Sequence, residues 1–373
     1  MNRGPNALRI LSLSFFCVAG CAGELDASPA SAAPPGEWTA SADDGGVGAL
    51  ARSAASPSAA SPSAAPAGTA PSLGELPSEL ADLQWPTRPS VTREVTVSTA
   101  AELEAAVATP GTRILTRGLS GGDVWIGASD IEIVADAGSS FGQLLIAQGT
   151  RRVRIEGGRW TTVRVEVPAD FSGGAASYRP ELMAEDVSLE GLTIDSGAES
   201  AYEIRGKRIA IVGNDVTAGR YSVWCGDTGD YQTEDLILYD NVFRSAGPES
   251  TVRLVSVLRS ATISNVISNS YKHNYRIHGV SDLNFAADNL LAGTGVMLGT
   301  MEGDSLGRVW FDDNVMHHDS PDLFNPAPAI GALVARRNTV YARQHDSFYG
   351  GAVGPGWTLS ENQVAPYQPP PAF

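Results

Sequence analysis

Short apolar runs recur through the second half of the chain, and each is punctuated by an asparagine at a nearly fixed interval. Asn214, Asn241, Asn265, Asn289, Asn314, Asn338 and Asn362 are separated by 27, 24, 24, 25, 24 and 24 residues. Two residues after each stands an apolar side chain (Val216, Phe243, Ile267, Leu291, Met316, Val340, Val364). Three residues before each stands another, except where Thr262 takes the place. A period in the twenties, built from short apolar strands, predicts a solenoid with one repeat per coil. Asn suits a turn because it tolerates left-handed backbone, and stacked Asn side chains can hydrogen-bond as a ladder.

The pattern extends backwards less cleanly. Asp136, Gly158 and Leu192 take the ladder position in earlier runs, and an inserted loop, Pro168 to Glu185, explains the long interval between the last two. Such loops on uniform solenoids either carry binding contacts or are inert. Around Leu283 the apolar spacing fits Asp288 as the ladder residue better than Asn289. The pattern predicts about ten coils from near Arg113 to near Pro366, a rod of roughly 50 Å at about 4.8 Å per coil. Ahead of it, Thr99-Ala-Ala-Glu102 is a capping box before Leu103, Ala106 and Val107, predicting a short amphipathic helix. Solenoid ends need covering, and this helix is placed to do so. The terminal PYQPPPAF cannot extend a sheet, because proline lacks the donor.

Coils of this length with an Asn ladder resemble the right-handed parallel β-helix of the pectin-lyase-like superfamily, over about Val95 to Ala365. The resemblance implies an all-β fold and leaves the activity open, since a fold does not fix a function.

The ladder sets a register for the strand that follows each turn. Alternation sends Tyr275 and Ile277 of NYRIHG inward, and Asn274, Arg276 and His278 outward. One coil earlier Val252 and Leu254 point in and Arg253 lies beneath Arg276. An outward column of Arg205 or Glu203, Trp224, Arg253 and Arg276 is expected along the axis. It offers an aromatic platform and forked donors that match carboxylates. All five histidines, His273, His278, His317, His318 and His345, fall in the last five coils, after the ladder turn, and are expected on one side of the rod. No pair has the tight spacing of a dedicated zinc or calcium site, so no metal or other cofactor is expected.

Arg276-Ile277-His278-Gly279 resembles the Arg-His-Gly strand of the alginate and chondroitin lyase branch of that superfamily. The resemblance implies β-elimination on a uronate polymer, with Arg276, Lys272 and His278 as catalytic residues. Arg253, Trp224, Arg205, His273, His317 and His318 would then bind substrate. Two departures stand out. Ile277 separates Arg276 from His278, and the Lys base one coil earlier in the family is replaced here by Arg253, Val255, Leu258 and Arg259. Only Lys272 could substitute.

The ends and the composition add an address. Arg3 and Arg9, the apolar stretch Ile10 to Val18 and then Val18-Ala19-Gly20-Cys21 resemble a bacterial lipobox, which implies lipidation at Cys21 and a membrane anchor. Residues 1–20 read as the signal and 21–86 as an Ala/Ser/Pro-rich tether too poor in apolar residues to fold; 87–373 form the β-helix domain. Ala22 after the lipid site favours the outer membrane. Leu73, Leu76, Leu80, Leu83 and Trp85 could dock on the domain as a short arm or stay loose, and Pro77 argues against one continuous helix. Cys225 remains alone once Cys17 and Cys21 are set aside, so no disulfide is expected within the mature chain. A formal charge of −16 excludes nucleic acid as a natural partner. Acidic polysaccharide is the expected partner, through a local basic patch rich in arginine. The other reading is a non-catalytic structural or adhesive module of the cell envelope; the oligomeric state is open.

Overall fold

The computed structural model describes residues 72–373 except 168–181, 198, 227–232, 248, 299–303, 319–323, 327–329 and 350. Short strands coil into a parallel β-solenoid with three faces. Every strand pairing given by the register is parallel and links each coil to the next. Sheet 1 carries the strands ahead of the ladder turn, from Arg93–Val97 to Trp357–Ser360. Sheet 2 carries those just after it, including Asp215–Ala218, Val242–Ser245, Val315–His318 and Gln363–Pro366. Sheet 3 includes Val124–Ile126, Tyr202–Ile204, Val223–Cys225, Val252–Val255 and Phe324–Pro326. About eight turns are formed, against the ten expected, because the first and last coils lack a strand in at least one face.

Alternation along each strand builds the core. Ile209, Ile211, Val216, Phe243, Val223, Leu254 and Ile277 are fully or nearly fully buried and form part of one continuous cluster from Val97 to Phe348. The ladder is formed by all seven asparagines. Each of the first six donates its backbone N–H and its side-chain Nδ2 to the Oδ1 of the next, as in Asn241 to Asn265 at 3.0 and 2.8 Å, and the series ends at Asn362. Asn289, not Asp288, occupies its slot. Nor does the asparagine itself take left-handed backbone. The residue before it does, as at Asp240, Ser264, Asp288, Asp313, Arg337 and Glu361. The Asn side chain is selected for its amide, which satisfies donors and acceptors that the turn buries.

A second column of left-handed residues lies at the turn into sheet 1, and its side chains alternate in charge: Asp130, Arg152, Asp186, Arg208, Asp235, Arg259. Arg152 pairs with Asp130 at 2.6 Å, Arg208 with Asp186 at 2.7 Å and Arg259 with Asp235 at 2.6 Å. Close by on sheet 1, the buried Arg154 is surrounded by Glu132, Glu156 and Glu190, each at 2.6 Å. Burying a guanidinium is costly unless carboxylates meet it, and here three do.

The helix α1, Ala100–Val107, opens with the Thr99–Glu102 capping box and buries Leu103, Ala106 and Val107 against the first coils. The leucine-rich arm is docked. Leu80 and Leu83 are buried against the outer face of sheet 1, among Ala210, Ile237, Ala261, Phe285 and Trp310, with Leu73, Leu76 and Trp85 packed alongside. Only Ser78–Leu80 is helical, a single 3-10 turn after Pro77. The arm's Thr87 and Ser90 backbone N–H groups donate to Asp186 and Asp130 of the charged column at 2.9 and 2.8 Å. The proline tail folds back over sheet 2, where the Gln368 carbonyl meets His317 Nδ1 at 2.7 Å. Among the described residues no helix is long and apolar enough to cross a membrane.

Candidate functional site

The outer face of sheet 3 carries one column of side chains. Strand pairing sets Trp125 beside Leu145, Leu145 beside Arg164, and Arg164 beside Glu203. It continues through Trp224, Arg253, Arg276 and Met297. These residues are half-buried or exposed, while their strand neighbours Tyr202, Val223, Cys225, Val252, Leu254, Tyr275 and Ile277 are buried. The acidic residue of the column is Glu203, paired with Arg164 at 2.8 Å. Arg205 lies one residue past the strand Tyr202–Ile204, at the corner, and is not part of it.

At Arg253 the side chains interlock. Its Nε donates to His278 Nε2 at 2.7 Å, and its Nη1 donates to the Tyr221 hydroxyl. Its guanidinium also lies 5.4 Å from the Tyr221 ring and 6.0 Å from that of Trp224, and Arg220 lies at 5.1 and 6.0 Å from the same two rings. Rings that hold a cation on their faces fix it without neutralising it. The Trp224 indole N–H is buried and has no acceptor among the described residues. Asp304 accepts from the Gly279 backbone N–H at 2.7 Å and lies 3.8 Å from His278 Nδ1.

The charges of this cluster act on one another. Burial, then the neighbouring Arg253 and Arg276, push the His278 imidazole down to about 4, against the weaker pull of Asp304. His278 is therefore neutral at pH 7. Its Nε2 accepts from Arg253, so its proton sits on Nδ1. Burial, then Arg253, also holds Arg276 below its ordinary value, while Asp304 and Glu249 oppose the shift. Burial raises the Tyr221 phenol, with Arg253 opposing. Among the described residues, the guanidiniums of Arg220, Arg253 and Arg276 thus meet the carboxylates of Glu249 and Asp304 in a strongly acidic protein.

The other expected site residues are distributed differently. His278 is on the outer side but 1 % exposed, closed in beneath Arg253. His273 is buried opposite Thr294, just past the shift of register in Val266–His278. The Lys272 side chain lies outside the described residues, as do the middle of the 168–185 loop, the tether up to residue 71 and Cys21. His317 and His318 are not with the arginines. They stand in sheet 2 opposite Ala292 and Gly293, where His317 stacks on Tyr341 at 4.9 Å beneath the tail, and His318 stacks on His345 at 5.9 Å. The histidines therefore divide between two faces. Tyr221 and Arg220 escaped the sequence reading because they sit at the corner before Val223–Cys225, where alternation gives no direction. Among the described residues, no three metal-ligating side chains group together. Burial pushes the Cys225 thiol up to about 12, which leaves it unreactive at neutral pH.

No family model matches the chain, and no curated protein matches it. Among solved structures, the chain is similar to the crystal structure of the Dettilon tailspike protein (gp208). The match has 12 % identity and a TM-score of 0.30, and covers 71 % of this chain. It covers 64 % of the tailspike chain, just under two thirds of that protein's length.

Proposed function

We propose that this chain is an envelope-anchored β-helix protein of the pectin-lyase-like kind that binds an acidic polysaccharide along the outer face of sheet 3. The observation that carries the reading is the adjacency of Arg253 and Arg276 on neighbouring strands beside Trp224. The two side chains leave neighbouring strands about 4.8 Å apart at the backbone, and a uronate carboxylate bound across them would accept from both forks. Trp224 offers a sugar ring an apolar face next to the charge.

Binding is favoured over β-elimination. A base must have a free lone pair near the proton it removes, and the His278 lone pair is taken up by Arg253. In this arrangement His278 positions Arg253 rather than reacting. Lyase activity would rest on Lys272 or on the Tyr221 phenol, whose raised pKa makes it a poor base at pH 7. Lipidation at Cys21 and attachment to the outer membrane complete the proposal, supported by the basic, apolar and small-residue order of the first 21 residues.

The test is isothermal titration of the full chain with alginate and hyaluronan tetrasaccharides, with ultraviolet absorbance followed for an unsaturated product. Binding that weakens at least about tenfold in Arg276→Ala, with no absorbance change, is the expected result. Absence of binding to either sugar would overturn the proposal, and absorbance growth that depends on Tyr221 or Lys272 would convert it to a lyase. Transfer of the protein to the soluble fraction in Cys21→Ser tests the anchor.

A further inference from the structure

The column that holds the arginine pair continues for six strand spacings to Trp125, about 29 Å at about 4.8 Å per strand. There it ends in a cleft of about 590 Å³ between α1 and the segment 121–128, of a size that suits a small ligand. Trp125 forms one wall and is 38 % exposed, one of few large apolar side chains so open among the described residues. Its indole lies over Gly127, where an added Cβ would come within 3.2 Å of Trp125 Nε1. Leu103 and Val107 of α1 supply further apolar lining, and Glu104 and Asp123 supply carboxylates. One Asp123 oxygen already accepts from the Gln143 backbone N–H at 2.8 Å, which fixes the carboxylate in place.

We propose that this cleft is a second sugar subsite of the same track and that it selects an uncharged pyranose. The inference rests on the reading of the arginine pair as a uronate site and deepens it. An exposed indole face stacks on the apolar face of a sugar ring. Glu104 and Asp123 accept from hydroxyl groups and repel a carboxylate. The two ends of the track therefore ask for different chemistry, a uronate at Arg253 and Arg276 and a neutral sugar at Trp125. The ligand this defines is a heteropolysaccharide in which uronates are interspersed with neutral residues. It must also be long enough to span the track, roughly six sugar units, since a ring with its linkage is close to one strand spacing.

The experiment titrates the full chain with hyaluronan tetrasaccharide and octasaccharide, which alternate uronate with N-acetylhexosamine, and with alginate octasaccharide, which is all uronate. The hyaluronan octasaccharide is expected to bind at least about fivefold more tightly than the tetrasaccharide. Trp125→Ala abolishes that gain without changing tetrasaccharide affinity, and Trp125→Phe, which keeps an aromatic face, retains most of it. The alginate octasaccharide shows no gain attributable to Trp125. A length gain that survives Trp125→Ala, or an equal Trp125-dependent gain with alginate, overturns the inference while leaving the arginine site intact. Loss of all binding, tetrasaccharide included, in the unmodified protein overturns the arginine site and this subsite with it.

Discussion

Asn289→Ala should be among the most destabilising single changes in this protein that remove so few atoms. Asn289 is 2 % exposed in the middle of the ladder. Its Oδ1 accepts from Asn265 N at 3.0 Å and from Asn265 Nδ2 at 3.1 Å. Its Nδ2 donates to Asn314 Oδ1 and to the Thr262 carbonyl, both at 2.9 Å. Truncation leaves these partners unequally served. Asn265 Nδ2 keeps the Leu238 and Ile263 carbonyls, and Asn314 Oδ1 keeps the Asn289 backbone N–H. The Asn265 backbone N–H loses the acceptor shown for it, inside a turn that water does not reach. A buried donor without a partner costs about 1–3 kcal/mol, and a cavity the size of a small amide adds about 1 kcal/mol, so a loss of about 3 kcal/mol is expected. Asn362→Ala removes one neighbour's acceptors at the open end of the ladder, where solvent can replace them, and should cost about 1 kcal/mol. Thermal and urea unfolding of the two variants, followed by far-ultraviolet circular dichroism, measures the contrast. Equal losses at the two positions, or a loss at Asn289 below about 0.5 kcal/mol, would refute the claim that the ladder is held by its buried amides.

Three further outcomes follow from the same geometry. Because the His278 imidazole is pushed down to about 4 in the folded protein and lies near 6.5 unfolded, the unfolded chain takes up the proton first as pH falls. Stability should therefore be intact above about pH 6.5 and decline toward pH 4, by on the order of 3 kcal/mol, and His278→Asn should flatten the slope in that window relative to the unmodified protein. Leu80→Ala should cost about 2–5 kcal/mol by emptying its fully buried site on sheet 1, and deleting residues 72–86 should lower the melting temperature and raise binding of a hydrophobic dye, since Phe285 and Trp310 lose cover. Arg208→Ala should destabilise by about 2 kcal/mol and raise the Asp186 pKa measured by carboxyl NMR, because burial pushes this 5 % exposed carboxyl up and Arg208, with the Thr87 N–H, is what holds it below the usual carboxylate range.

The coiled architecture was legible because a ladder residue must recur once per coil, and period-two alternation then sorts faces. The sequence pattern alone brought Trp224, Arg253 and Arg276 onto one column, as the strand register has them. It misplaced the left-handed residue by one position, since Asn is common both at such slots and in ladders. It also grouped His317 and His318 with His278. Offset from the ladder separates them: His317 and His318 follow Asn314 by three and four residues and fall in sheet 2, whereas His278 follows Asn265 by thirteen and reaches sheet 3. The corner between those sheets carries little sequence signal. Gly293 is one of its few marks, with a φ of +113° and no room for a Cβ beside the Asn269 carbonyl. Docking of the arm was legible only as one of two alternatives, and where it and the folded-back tail would pack was not, because their partners lie on strands far along the chain. The alternating Asp and Arg column was missed for a similar reason, as its members are charged residues some two dozen positions apart that only stacking makes neighbours.

The central claim is that Arg253 and Arg276 bind a sugar carboxylate. The direct measurement compares hyaluronan oligosaccharide with the same oligosaccharide whose carboxyl groups have been reduced to alcohols, titrated against the unmodified protein and Arg276→Ala. The account predicts that reduction weakens binding to the unmodified protein at least about tenfold, and that Arg276→Ala, already weakened for the native sugar, loses little more on reduction. Equal affinity of the unmodified protein for the two sugars would contradict it.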